Sequence, residues 1–168
     1  MERFCRSVDA ISGAAGALAR VAALISVAVC FATVYMRYAL DMTWIWLNES
    51  YVWANAFAIV LGAGWSWRDG ALVRVDVLYE RLSKRWRGAV DAVGILVFLA
   101  PFLWVVFVHA LPFVAMSWRI GESSAQPSGM PAIWLLKGSL LALVGLIALQ
   151  ALAELARSLS AVFVGEGR

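Results

Sequence analysis

Four long apolar stretches occupy most of the chain, near residues 18–38, 50–67, 89–116 and 132–154. The hydrocarbon layer of a bilayer is about 30 Å thick, and a helix needs roughly 20 mostly apolar residues to cross it. Composition agrees: 15% of the residues are charged, where a soluble domain carries about 25%. The expected fold is an all-α membrane protein with four transmembrane helices. An interfacial amphipathic helix is expected between spans two and three. The chain reads as one membrane domain, with no linker, repeat or low-complexity tract.

Charge sets the orientation, because cytoplasmic loops collect Lys and Arg. The connection between spans two and three holds Arg68, Arg74, Arg81, Lys84, Arg85 and Arg87. Arg3, Arg6 and Arg20 flank the first span on the same side, and Arg157 and Arg168 follow the last. The opposite side carries only Arg37 and Arg119, with Lys137 inside span four. Both termini are therefore expected in the cytoplasm. Trp44, Trp46, Trp118 and Trp134 mark the outer boundary, and Trp65, Trp67 and Trp86 the inner one, where an indole ring stays dry and its N–H wet. The net charge of +3 is a topology signal. No basic face interleaved with stacking aromatics points to nucleic acid. Ala17-Leu18-Ala19 resembles a signal-peptide cleavage site, but the apolar run continues past it. Cys5 and Cys30 give no disulfide framework.

In the inner connection Val75, Leu78, Tyr79, Leu82 and Trp86 recur on one helical face. That spacing predicts a helix over 75–87 lying in the headgroup layer, apolar side down. Pro101 and Pro112 predict a bent third span. The outer loop, rich in Gly, Ser and Pro between Trp118 and Pro131, reads as an ordered turn-rich connection. Asp41 and Thr43 are expected to turn or cap the shorter outer connection.

Ionisable groups at membrane depth are functional candidates. Arg37 and Glu49 lie on the outer side, across a short loop, and are read as a charge pair or a partner surface. Lys137 sits one to two turns into span four, with snorkelling to the interface as its simplest role. Gln150 and Glu154 read as edge polar residues near the inner end. His109 is the only histidine and reads as a helix-packing residue, because haem ligation usually needs two axial ligands. No Cys/His cluster suits zinc, no Ser-His-Asp set is formed, and no Gly-rich loop cradles phosphate. Ala54, Ala58 and Gly62, and Gly138 with Ala142, mark small-residue packing faces. Little midplane polarity and no evident inverted repeat argue against a carrier that works alone.

Arg37-Tyr38, the segment Trp44 to Glu49 and the run Arg68-Asp69-Gly70-Ala71-Leu72-Val73-Arg74-Val75-Asp76 resemble the small membrane subunit (DctQ-like) of tripartite ATP-independent periplasmic (TRAP) transporters. So does the stretch Gly121-Glu122-Ser123-Ser124, Pro127, Gly129, Pro131, Trp134-Leu135-Leu136-Lys137 to Leu149-Gln150. The resemblance implies a scaffold subunit of a sodium-coupled, binding-protein-dependent importer of organic acids in a bacterial inner membrane. It implies two protein partners besides lipid, a large permease subunit and a periplasmic substrate-binding protein. No cofactor is expected in this chain, and sodium is expected in the large subunit. Arg37, Trp44, Glu49, Arg119, Glu122, Ser124 and Lys137 are then candidates for the outer partner surface. Val75, Leu78, Tyr79, Leu82 and Trp86 are candidates for the membrane-interface helix. Two rivals remain at this stage: a four-helix anchor of a redox enzyme, and a small transporter working as a homo-oligomer.

Overall fold

The computed structural model describes residues 2–71 and 82–164. Those residues are helical apart from short connections, with no strand among them. Helix α1 spans Glu2–Ala39 and α2 spans Ile45–Arg68. Helix α3 covers Lys84–Val93 and continues through a π-helical stretch, Gly94–Leu99, into α4, Ala100–Arg119. Helix α5 runs over Ile133–Val164.

The wide π stretch has a cause in the sequence. Pro101 has no N–H to give the preceding turn, and its ring crowds the carbonyl four residues back. The amide of Ala100 bonds Ile95 O, five residues back, so the widened turn delivers the chain to Pro101. Pro112 lies within α4.

Helix ends follow local chemistry. Gly70 and Gly121 adopt left-handed φ values of 69° and 58°, which glycine reaches without a Cβ clash. Each closes its helix with paired return bonds, Ala71 N to Ser66 O and Glu122 N to Ser117 O, the Schellman arrangement. Asp41 closes α1 with φ 51°, and the Met42 amide bonds back to Met36 O. Ser83 caps α3 by accepting the Trp86 amide.

That cap corrects one expectation. A helix over 75–87 is incompatible with Leu82 and Ser83, which lie outside any helix. Trp86 belongs instead to the first turn of the third rod, because the Ser83 hydroxyl starts a helix there. Val75, Leu78 and Tyr79 lie outside the described residues.

The rods run antiparallel in sequence order. One end of the bundle carries the start of α1 and the end of α5, here the terminal end. The other carries the 40–44 and 120–132 connections, the loop end. Helix α1 packs mainly along α2, α3 and α4 pack on α5, and α5 also touches α1 and α2. Small residues set the α1–α2 approach. A Cβ built on Gly16 would stand 2.4 Å from Trp65 Cγ, and one on Gly62 3.6 Å from Ala19 Cβ. Such close backbones are the usual solution where lipid supplies no hydrophobic drive.

Among the described residues three rods are long and apolar enough to cross a membrane: Arg3–Ala39, Arg85–Arg119 and Ile133–Ser160. The sequence had suggested four. Helix α2, at 24 residues, has the length but not the composition, because Asn48, Glu49, Ser50, Asn55 and Ser66 interrupt its apolar surface. The surface is inverted relative to a soluble bundle. Leu24, Phe31 and Phe98 are each more than 70% exposed, while the buried positions are mostly small or medium-sized, such as Ala15, Ala19, Ala110 and Ala153.

Candidate functional site at the loop end

Glu49 sits in the second turn of α2. Its carboxylate accepts the Ser124 hydroxyl and, at 2.5 Å, the backbone amide of Met130. The loop is folded to reach it: Ser124 N bonds Met130 O at 3.0 Å, and Gln126 N bonds Ser124 Oγ at 3.2 Å. Gly129 is required here, because a Cβ would lie 2.5 Å from Ser124 Cβ and 2.9 Å from Glu49 Oε2. Ser128 and Ala132 hold φ values of 60° and 62°. For residues with a Cβ such φ values are uncommon, and the surrounding bonds hold them there.

A second tie anchors the loop to α5. Lys137 Nζ meets Glu122 Oε2 at 2.5 Å and lies 4.2 Å from the centre of the Phe113 ring. The ammonium thus bridges loop, α4 and α5, by charge on one side and by a π face on the other. The Lys137 ammonium, followed by the Ser117 hydroxyl, holds the Glu122 carboxyl below its ordinary value of 4.5. Trp118 and Trp134 meet edge to face with centroids 4.1 Å apart, which closes α4 on α5 at the same level.

The structure therefore joins Glu49 with Ser124, and Glu122 with Lys137. Arg37 and Arg119 are exposed, and no ion pair involves either among the described residues. The Arg37–Glu49 pairing anticipated from the sequence is replaced by the loop's own donors, which reach Glu49 first. Trp44 stacks on Trp46 at 6.5 Å. Leu82 is half-buried and Trp86 exposed.

Sequence reasoning missed the terminal-end cluster. Arg157 Nη2 donates to both carboxylate oxygens of Asp9 at 2.7 Å, and its Nη1 to Glu154 at 3.1 Å. Arg68 Nη1 donates to Asp9 O at 2.8 Å. Gln150 is not an edge residue: it is fully buried, and its Oε1 accepts the Ser12 hydroxyl at 3.0 Å. Within α5, the spacing of Gln150, Glu154 and Arg157 signalled one polar face. Their partners on α1, Ser12 and Asp9, carried no signal of their own.

Among the described residues no group of His, Cys, Asp and Glu could hold a metal ion. His109 is exposed, and its Nδ1 donates to Val105 O in its own helix at 2.8 Å, where helix packing had been expected from the sequence. The bundle thus presents an ordered polar loop surface above an apolar exterior.

A family model described as "Tripartite ATP-independent periplasmic transporters, DctQ component" matches residues 26–161. The chain belongs to this family. No curated protein and no solved structure gives a significant match. The match covers the last third of α1, all of α2 to α4 and most of α5, so it takes in both ties of the 120–132 loop. DctQ proteins are transporter components, not an enzyme family, and this DctQ chain is a small membrane component of a TRAP system.

Proposed function

We propose that this DctQ chain braces the large permease subunit of a sodium-coupled TRAP importer of organic acids. It contributes the 120–132 loop surface to the docking site of the periplasmic substrate-binding protein. The observation that carries this reading is the distribution of charge. Ionisable side chains with defined partners tie the helices at the two ends of the bundle, and the exterior between them is mostly apolar. Such a body suits a scaffold, whereas a solute pathway needs polar groups near midplane.

In this reading α2 also crosses the bilayer. It lies along α1 and α5, and its contacts with α1 run from Gly13 beside Arg68 to Ser26 beside Tyr51. A helix packed along two spanning neighbours shares their depth. Both termini face the cytoplasm of a bacterial inner membrane, as the basic residues of the terminal end favour. Arg37, Trp44 and Arg119 face the partners at the outer surface.

The experiment is a pull-down followed by reconstitution. Tagged chain should recover a larger polytopic membrane protein, and vesicles holding the pair should accumulate a carboxylate only with binding protein and a sodium gradient. Accumulation by vesicles holding this chain alone would overturn the scaffold role.

A further inference from the structure

The face between α1 and α2 carries two polar groups with no hydrogen bond or ion pair among the described residues. Asn55 lies near the middle of α2, about 15 Å along the axis from Ile45 at 1.5 Å per residue. Its side chain is exposed and makes no hydrogen bond among the described residues. It opens into a groove with Val27, Phe31 and Val52. The groove's serine hydroxyl is already used, because Ser26 Oγ donates to Tyr51 O at 2.9 Å. The Asn55 carboxamide has no such partner.

The second group is Arg20. Its neighbour Ala19 packs against Gly62, six residues, or about 9 Å, inward from Arg68 on α2. The side chain leans toward the terminal end, as side chains on α1 must, because Cα–Cβ bonds tilt toward a helix N-terminus. Its guanidinium rests 5.1 Å from the centre of the Trp65 ring. No carboxylate pairs with it among the described residues. Arg20, Leu24, Val27 and Phe31 follow the i, i+4, i+7, i+11 rows of one helical face, and the last three are at least 69% exposed.

We infer that this α1–α2 face is where a transmembrane helix of the large permease subunit docks. That helix presents a hydrogen-bonding side chain at the depth of Asn55 and a carboxylate near Arg20. The inference rests on the scaffold reading above and names its contact surface. Acyl chains offer Asn55 neither donor nor acceptor, and an unsatisfied amide in hydrocarbon is costly. A second copy of this chain fits poorly. A two-fold axis along the membrane normal keeps both copies at one depth, so Arg20 would oppose Arg20. A heterologous helix with an acid near Arg20 and a hydrogen-bonding side chain at the depth of Asn55 satisfies both groups, since guanidinium and carboxylate pair in a matched fork.

The test uses the intact complex in native membranes. A photo-crosslinking residue placed at Val27 or Val52 should label the large subunit, and one at Phe98 on the far rod should label it much less. Asn55→Leu should lower recovery of the large subunit about tenfold, the scale of one interhelical hydrogen bond, and Asn55→Gln should restore part of it. Circular dichroism and detergent melting of Asn55→Leu should match the parent, which separates lost docking from lost folding. If the large subunit co-purifies while probes at Val27 and Val52 give only lipid or self adducts, the surface is wrong and the scaffold reading stands. If the parent chain recovers no large subunit at all, the scaffold reading falls and this inference with it.

Discussion

Glu49 of α2 accepts the backbone amide of Met130 at 2.5 Å, across 81 residues of sequence. A carboxylate in that place does what an N-cap does for a helix: it gathers donors a loop cannot satisfy by itself. A hydrogen bond to a charged group is worth about 1.5–3 kcal/mol. Glu49→Ala should therefore loosen the 120–132 loop by about 2 kcal/mol, with amide exchange at Met130 rising about 30-fold. Glu49→Gln, which keeps an acceptor oxygen, should show a smaller rise. Unchanged exchange at Met130 in the alanine variant would mean that the loop holds itself.

The Glu122–Lys137 pair gives a pH signature. The Glu122 carboxyl is held below 4.5, so the folded state favours its charged form. That stabilisation is fully present above the carboxyl's unfolded value and disappears as pH falls through the lower folded value. Lys137→Met removes the main cause. Melting temperatures of parent and variant should differ by a constant gap at neutral pH, and the gap should close below pH 4.5. Raising salt should narrow it less than for a surface pair, because Lys137 is only about one-fifth exposed and also lies against Phe113.

How much of this was legible in the chain depends on the range of the physics. The rods were legible because burial in lipid writes itself as local composition. The turns at Gly70 and Gly121 were legible because left-handed backbone selects glycine. The π stretch before Pro101 was half legible: proline announces a disturbance, but whether the helix bends or widens depends on its packing against α5. The boundary at Ser83 was obscured because apolar spacing ran on through Leu82 to Trp86, and one capping hydroxyl outweighed it. The partners of Glu49 and Arg157 were hidden altogether. A carboxylate takes whichever donors the fold delivers, and two residues 148 positions apart, Asp9 and Arg157, share no local pattern.

Gly16 tests how closely α1 must approach α2. A methyl there would stand 2.4 Å from Trp65 Cγ, an atom close to its backbone and unable to swing clear. Overpacking of this kind costs about 1–3 kcal/mol. Gly16→Ala should lower stability by that amount in a detergent unfolding titration. Gly145→Ala, where a Cβ meets nothing within 4 Å, should be neutral or slightly stabilising, since alanine favours helix by up to about 1 kcal/mol.

The buried Ser12–Gln150 contact calls for a double substitution. Gln150 is fully buried; its Oε1 takes the Ser12 hydroxyl, and its Nε2 has no partner among the described residues. Ser12→Ala alone leaves the whole carboxamide unsatisfied and should cost about 1–3 kcal/mol. Gln150→Leu removes the stranded donor together with the acceptor, and the Ser12 hydroxyl can turn to a carbonyl of its own helix. The double variant Ser12→Ala, Gln150→Leu should recover most of the loss, because replacing both partners by apolar groups of similar shape is nearly neutral. Losses that simply add in the double variant would show that Gln150 serves something beyond Ser12, such as a water at Nε2 joining α1, α2 and α5.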